Sequence, residues 1–120
     1  MLLTKEVDYA LRICRVLAHD GGKLTSREIC RREKIEGIIF VRRILQKLVK
    51  NKIVKSKKGV NGGFILINPH TSLDIVIRIF VEMKINSCNK CREYCSIRSI
   101  TDEIERDILK KLMLIEVKDL

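Results

Sequence analysis

The feature that most constrains the fold is a change of hydrophobic period near residue 51. Before it, apolar residues recur every three or four positions, which predicts helices. After it, residues 53–56 and 64–67 have the composition of short strands, and a glycine-rich turn over residues 57–63 joins them. Three helices followed by a basic hairpin are the outline of a winged helix-turn-helix.

The helix boundaries are predicted from capping residues and breakers. Thr4 begins a helix over residues 5–18, which Gly21 and Gly22 end. Thr25 or Ser26 caps a short second helix, with Glu28 placed as in a capping box. A third helix covers residues 38–50, Ser72 caps a fourth over 73–83, and a last helix with an isoleucine stripe covers 97–115.

The predicted fold class is therefore mainly α. A winged helix-turn-helix of three helices and a β-hairpin wing occupies residues 1–68 and is predicted to bind DNA. Residues 69–120 add a helix, a cysteine loop and a long C-terminal helix, completing one compact protomer. The isoleucine stripe of the last helix comes after a core is already complete, so we expect it to pack against another surface.

Net charge is unevenly distributed along the 120 residues. Residues 1–60 hold 16 Lys and Arg against 6 Asp and Glu, whereas residues 61–120 hold 9 of each. The whole excess of +10 therefore belongs to the predicted helix-turn-helix and wing. A one-sided basic surface is typical of a protein that binds a polyanion, and we expect double-stranded DNA.

Specific basic residues are candidates for DNA contact. Arg42, Arg43 and Lys47 lie on the predicted recognition helix, although a basic helix face can also be simply solvated. Lys57 and Lys58 lie at the wing, where they could bind phosphates. The wing glycines, Gly59, Gly62 and Gly63, would let the backbone turn tightly and approach DNA, although they also suit an ordinary hairpin turn.

Three cysteines, Cys88, Cys91 and Cys95, fall within eight residues. Thiolates spaced C-x2-C-x3-C suit an iron–sulfur cluster and, less completely, zinc, which in structural sites takes four ligands. No signal peptide or membrane-length apolar run is visible, so we expect a cytoplasmic protein with reduced thiols rather than disulfides. The other two cysteines, Cys14 and Cys30, fall in helical patterns and are predicted to be small core residues.

Several segments resemble the Rrf-type winged-helix transcriptional regulators. Residues 3–12, 26–29 and 44–50 resemble the start, second helix and recognition helix of that family, and the wing, residues 58–66, is most similar. The resemblance covers essentially the whole chain. It implies a homodimer that binds a palindromic operator, usually as a repressor, and adds Ser26, Arg27 and Asn61 to the expected DNA contacts. Residues 35–38 depart from the family pattern by about one extra residue and a missing proline.

The cluster-binding branch of the family implies an iron–sulfur cluster on the three cysteines and one further ligand. The resemblance implies two positions for it. Arg98 replaces the histidine that some members carry three residues after the last cysteine. Asp8 matches the aspartate that other members supply from the partner subunit's first helix, so Asp8 is the expected ligand, although an acid there also suits a first helical turn. Glu6, His19 and His70 are the alternatives.

The tight cysteine spacing favours a four-iron cluster over a two-iron one, and the expected signals are redox state, nitric oxide or iron–sulfur status. A cluster-free regulator controlled by a partner protein, a metabolite or thiol oxidation is the principal alternative. A zinc-stabilised interaction module would leave the charge asymmetry unexplained. An enzyme is not expected, because no phosphate-binding loop or nucleophile–base pair is present.

Overall fold

A computed structural model of the chain describes residues 3–85 and 95–120. Its elements follow the predicted order and confirm the mainly helical winged-helix class. They are α1 (Lys5–Asp20), α2 (Ser26–Glu33), α3 (Ile38–Lys50), β1 (Val54–Lys57), β2 (Gly63–Leu66), α4 (Leu73–Phe80), α5 (Ser96–Leu114) and a final 3-10 turn (Val117–Asp119). None of the helices in these two ranges has the length and apolarity that crossing a bilayer requires.

The predicted caps of the first two helices are formed. The Thr4 hydroxyl accepts a hydrogen bond from the Val7 amide at 3.2 Å, and Gly21 ends α1 in the left-handed conformation with φ of 69°. Thr25 and Glu28 complete a reciprocal capping box at the start of α2. Local sequence alone therefore determines where these helices begin and where α1 turns back.

The core lies among α1, α3 and α4, and it is aliphatic. Four residues of α3 are fully buried in it: Val41, Ile44, Leu45 and Leu48. From α2, Ile29 packs into the same core, and Ile35 in the following turn is also buried. This packing holds the two helices of the helix-turn-helix at a fixed angle, because close-packed side chains permit little sliding.

A two-point ion pair also ties α1 to the end of α2. The Arg15 guanidinium donates to the two carboxylate oxygens of Glu33, at 3.3 Å from Nε and 2.6 Å from an Nη atom. This hydrogen bond raises the pKa of Arg15 above its ordinary value. The Glu33 side chain is only 11% exposed, so this pair fixes the end of α2 against α1.

The wing is an antiparallel hairpin whose register pairs Val54 with Leu66 and Lys57 with Gly63. Its strands begin and end within one residue of the prediction. Phe64 also forms an isolated bridge with Leu24, with N–O distances of 2.7 and 3.1 Å in the two directions. The wing is thereby tied to the loop between α1 and α2, which fixes its base beside α3.

The second half of the chain differs from the prediction at the end of α4. This helix ends at Phe80, and the following Val81 is extended, with φ of −143°. Val81 and Met83 still pack against the core, but from beyond the end of the helix. The helix therefore stops three residues before residue 83, the end that periodicity predicted, although these apolar side chains still contribute to the core.

Helix α5 packs against α4, and none of its residues is buried. The chain then returns to the body of the protein. Ile115 accepts a hydrogen bond from the Leu73 amide at 2.9 Å, and Val117 is fully buried. The 3-10 turn that contains Val117 contacts α1. The first and last helical segments of the chain are thus in direct contact.

Candidate nucleic-acid interface and cysteine segment

The outward face of α3 lies opposite the four core residues. Ile39, Arg43, Gln46 and Lys50 occupy it at spacings of four, three and four residues, which place them along one line of an α-helix. All four are exposed. The helix therefore presents one mixed apolar, basic and amide face to any surface that it approaches.

The start of α3 suits an anionic surface. Gly37 occupies the N-cap with φ of 94° and provides no side-chain hydrogen bond, and the first turn contains no acidic residue. Its amide groups and the positive end of the helix dipole therefore have no side-chain oxygen competing with an external anion. The departure in sequence at residues 35–38 is accommodated by this glycine and by Lys34, which adopts φ of 53°.

Two of the predicted DNA-contact residues are joined across the helix-turn-helix. The Arg42 Nε atom donates to the Ser26 hydroxyl at 3.4 Å, at an exposed position. Arg27 and Arg43 are also exposed, and neither forms an ion pair with a carboxylate among the described residues. The charge of these two arginines is therefore not neutralised by the described part of the protein.

Lys47 is placed differently from the other predicted contacts. Its ammonium lies 3.0 Å from the Glu6 carboxylate and 5.5 Å from the centre of the Phe80 ring. Both partners belong to other helices, α1 and α4. The side chain therefore extends along the body of the protein and bridges three helices, and its contact with DNA stays a prediction.

The wing tip is exposed and basic. Lys57, Lys58, Gly59 and Asn61 are exposed, and Val60 between them is fully accessible to solvent. A Cβ added at Gly62 would lie 2.6 Å from the Lys57 backbone oxygen, so the turn requires a residue without a side chain. For Gly63, φ is 152° and an added Cβ would lie 2.8 Å from the Leu24 backbone oxygen. These two glycines have a structural role in shaping the wing, whereas their approach to DNA stays a prediction.

Sequence reasoning missed Ile39 and Val60 as surface features. Ile39 is 73% exposed in the first turn of α3 and Val60 is 104% exposed at the wing tip. The signal for Ile39 was available, because it falls on the face opposite the core residues of α3. The predicted apolar face of this helix includes Ile38 and omits Ile39, but the omitted residue was not interpreted as a surface contact.

The cysteines fall into two groups. Cys14 is fully buried, and burial raises its pKa to about 12. Cys30 is half-buried, and its pKa is raised mainly by burial, with an opposing effect of Arg42. Both therefore remain protonated at neutral pH, consistent with core roles.

Of the three predicted cysteine ligands, Cys95 alone belongs to the described residues, since Cys88 and Cys91 lie outside them. Cys95 occupies the N-cap of α5, where the helix dipole favours negative charge on its sulfur. Within the two described ranges, no three His, Cys, Asp or Glu side chains converge on a possible metal position. The thiolate tripod stays a prediction, with its last member at the beginning of a helix.

Asp8, the predicted further ligand, is a half-exposed carboxylate on α1. Its nearest cation is Arg12, with 3.1 Å between Nε and the carboxylate oxygen, and both side chains are well exposed. Such a surface pair contributes only about 0.3–0.5 kcal/mol, so Asp8 could exchange Arg12 for another partner. Of the alternatives, Glu6 pairs with Lys47 and His70 lies 2.8 Å from Glu116.

Together, the helix-turn-helix, the exposed basic face of α3 and the tied wing define a winged helix-turn-helix DNA-binding protein. The family model described as "Rrf2: Iron-dependent Transcriptional regulator" matches residues 3–120. The chain belongs to this family, whose members are DNA-binding transcriptional regulators and not enzymes.

Several solved structures share this fold at low sequence identity. T. potens IscR has a TM-score of 0.84 and 20% identity, over 98% of this chain and 83% of that one. CymR, described as the global cysteine regulator of B. subtilis, has a TM-score of 0.86 and 19% identity, over 98% and 93%. Staphylococcus aureus CymR has a TM-score of 0.79 and 17% identity, over 97% and 94%. A search of curated protein sequences found no match.

Proposed function

We propose that this regulator is a cytoplasmic homodimeric repressor that senses redox state, nitric oxide or iron–sulfur status. A cluster bound by Cys88, Cys91 and Cys95 would be the sensor, and Asp8 of the other subunit would complete its ligands. The observation that supports this most directly is the position of Cys95 at the N-cap of α5. A change at these cysteines would act on the first turn of the helix expected to form the dimer.

The exposed stripe of α5 supports the homodimer. The exposed fraction of the side chain is 68% at Ile97, 58% at Ile100 and 45% at Ile104, while Leu112 packs against the core. A helix that leaves three successive isoleucines in water while its far end is anchored has an apolar face available for a partner. In a C2 dimer, the two recognition helices would be held at a fixed spacing for the halves of a palindromic operator.

The donor set fits an iron–sulfur cluster by its chemistry. Thiolates are the usual ligands of such clusters, and a bound cluster would supply a centre that responds to oxidants and to small ligands. Contacts within the protein would carry a change at the cluster to the DNA-binding helices. Cys95 begins α5, Asp8 lies on α1, and α1 and α3 are joined by the Lys47–Glu6 pair. A ligand contributed by the partner's α1 would couple the ligand set to dimer geometry.

The test begins with anaerobic purification and measurement of iron, sulfide and visible absorption. We expect a coloured protein whose absorption is lost in Cys91→Ala. Colourless protein with stoichiometric zinc would refute the cluster. For Asp8, Asp8→Ala should accelerate loss of the absorption in air, whereas Asp20→Ala should not. Asp20 is a suitable control because it lies on the same helix and pairs with Arg32. Equal decay in both variants would remove Asp8 from the ligand set.

DNA binding is tested by selecting sequences from random DNA with the anaerobic and the cluster-free protein. An inverted repeat enriched by one form but not the other would establish both the operator and the direction of switching. Equal enrichment by both forms would refute the cluster as the switch while retaining the regulator.

The alternative is a cluster-free regulator controlled by thiol oxidation. The raised pKa values of Cys14 and Cys30 make these two poor redox sensors, so such a switch would use Cys88, Cys91 or Cys95. Iron-free protein whose operator binding changes on mild oxidation, and recovers with a thiol reductant, would favour this alternative.

A further inference from the structure

The exposed side chain of Ile39 has no structural explanation within the described protein. In α1, α2 and α3, which are described completely, it is the one large apolar residue that stands mainly in solvent, with 73% exposure. Its neighbours Ile38 and Phe40 are partly covered, and Val41 is fully buried. Isolated exposed apolar residues are common on proteins, so the position of Ile39 is what matters.

Ile39 lies at the N-terminal end of the exposed face of α3 that Arg43, Gln46 and Lys50 continue. It is in the first turn, opposite the core face formed by Val41, Ile44, Leu45 and Leu48. Arg43 follows one turn later on the same line, and Gln46 one turn after that. In helix-turn-helix proteins the N-terminal part of this helix contacts base edges, so Ile39 is placed where bases are read.

The chemistry of the side chain limits what it could recognise. An isoleucine has no hydrogen-bonding group, and the apolar group that a base pair displays in the major groove is the C5-methyl of thymine. We propose that Ile39 determines operator specificity by contacting the methyl group of a thymine in each half-site. The inference rests on the DNA binding proposed above, and it names the base that Ile39 contacts. Arg43 and Gln46 supply polar contacts farther along the same helix face.

Removing the thymine methyl tests the contact directly. An operator selected with the full chain is resynthesised with uracil replacing each thymine in turn, which deletes only the methyl group. Burial of one methyl group is worth about fourfold in affinity. We expect the wild-type protein to lose about fourfold at one thymine per half-site, and little at the others.

The same scan with Ile39→Ala makes the test specific. This variant should bind the thymine operator more weakly and show no further loss with uracil at that position. Its fold should be retained, because the side chain is exposed and alanine favours a helix. The matched control is Val60→Ala, which shortens the exposed apolar side chain of the wing and should retain the thymine–uracil difference whatever its own affinity.

The outcomes separate this inference from the proposed function. An enriched operator without thymine in its half-sites, or an Ile39→Ala protein that keeps the full uracil penalty, would overturn the role of Ile39 while leaving the regulator intact. Failure to enrich any sequence would overturn both. If the loss of affinity caused by uracil at that position disappears in Ile39→Ala and persists in Val60→Ala, the contact is established.

Discussion

Helix α5 offers the most informative perturbation, because its exposed stripe should hold the dimer together. We consider the double variant Ile100→Ala/Ile104→Ala, whose side chains are 58% and 45% exposed in the protomer. Each replacement removes three carbons, worth about 2.4 kcal/mol when fully transferred from water. Alanine has the highest helix propensity, so α5 itself should remain folded.

The magnitude follows from the exposed fractions. Only surface that is accessible in the protomer can be newly buried by a partner, which reduces the contributions to about 1.4 kcal/mol for Ile100 and about 1.1 kcal/mol for Ile104. A symmetric interface loses both residues from both subunits, so the dimer should be weakened by about 5 kcal/mol. This corresponds to a dissociation constant higher by on the order of 10³- to 10⁴-fold.

Sedimentation equilibrium over a wide concentration range measures this constant. The control is Arg106→Ala/Lys110→Ala, which changes two exposed residues on the opposite side of the same helix and should leave the constant unchanged. A wild-type chain that is monomeric at micromolar concentration would refute the reasoning. So would a stable dimer of the isoleucine variant, because another surface would then form the interface.

Three further predictions concern the folded protomer. Burial raises the pKa of Cys14 from 9.0 to about 12. The contribution of the protonated thiol to the free energy of unfolding should therefore be complete below pH 9 and should be lost between pH 9 and about 12, at roughly 1.4 kcal/mol per pH unit. Urea unfolding of wild type and Cys14→Ala across this range measures the difference. Arg15→Ala should lower the free energy of unfolding by about 1–2 kcal/mol, because it leaves Glu33 nearly buried without its two-point partner. Gly62→Ala should weaken operator binding, because the new Cβ would lie 2.6 Å from the Lys57 backbone oxygen and force the wing turn to rearrange; fluorescence anisotropy with labelled operator measures the loss.

Each of these has a distinguishing outcome. If the difference in free energy of unfolding between wild type and Cys14→Ala does not change with pH above 9, the thiol ionises as readily in the folded state as in the unfolded state. Arg12→Ala is the control for Arg15, since the Arg12–Asp8 pair is exposed and should contribute less than about 0.5 kcal/mol; equal losses would argue against the special role of the buried carboxylate. Unchanged operator affinity in Gly62→Ala would show that the wing turn is not positioned for DNA.

Local sequence determined much of this protein. Thr4, Gly21 and the Thr25–Glu28 capping box each specify their helix ends through hydrogen bonds within a few residues, so sequence reasoning placed them correctly. The family segments and the charge asymmetry likewise identify a DNA-binding regulator from the sequence alone. Helical periodicity also separates the four buried residues of α3 from the exposed Ile39 on the opposite face, because a helix buries residues at regular intervals.

Tertiary structure decided how side chains of the same type were used. Lys47 and Arg43 are both cations on α3, but packing places Lys47 against Glu6 and Phe80 and leaves Arg43 outward. Val81 and Met83 pack against the core from beyond α4, because that helix ends at Phe80. These outcomes depend on contacts between residues far apart in sequence, which periodicity and charge do not specify.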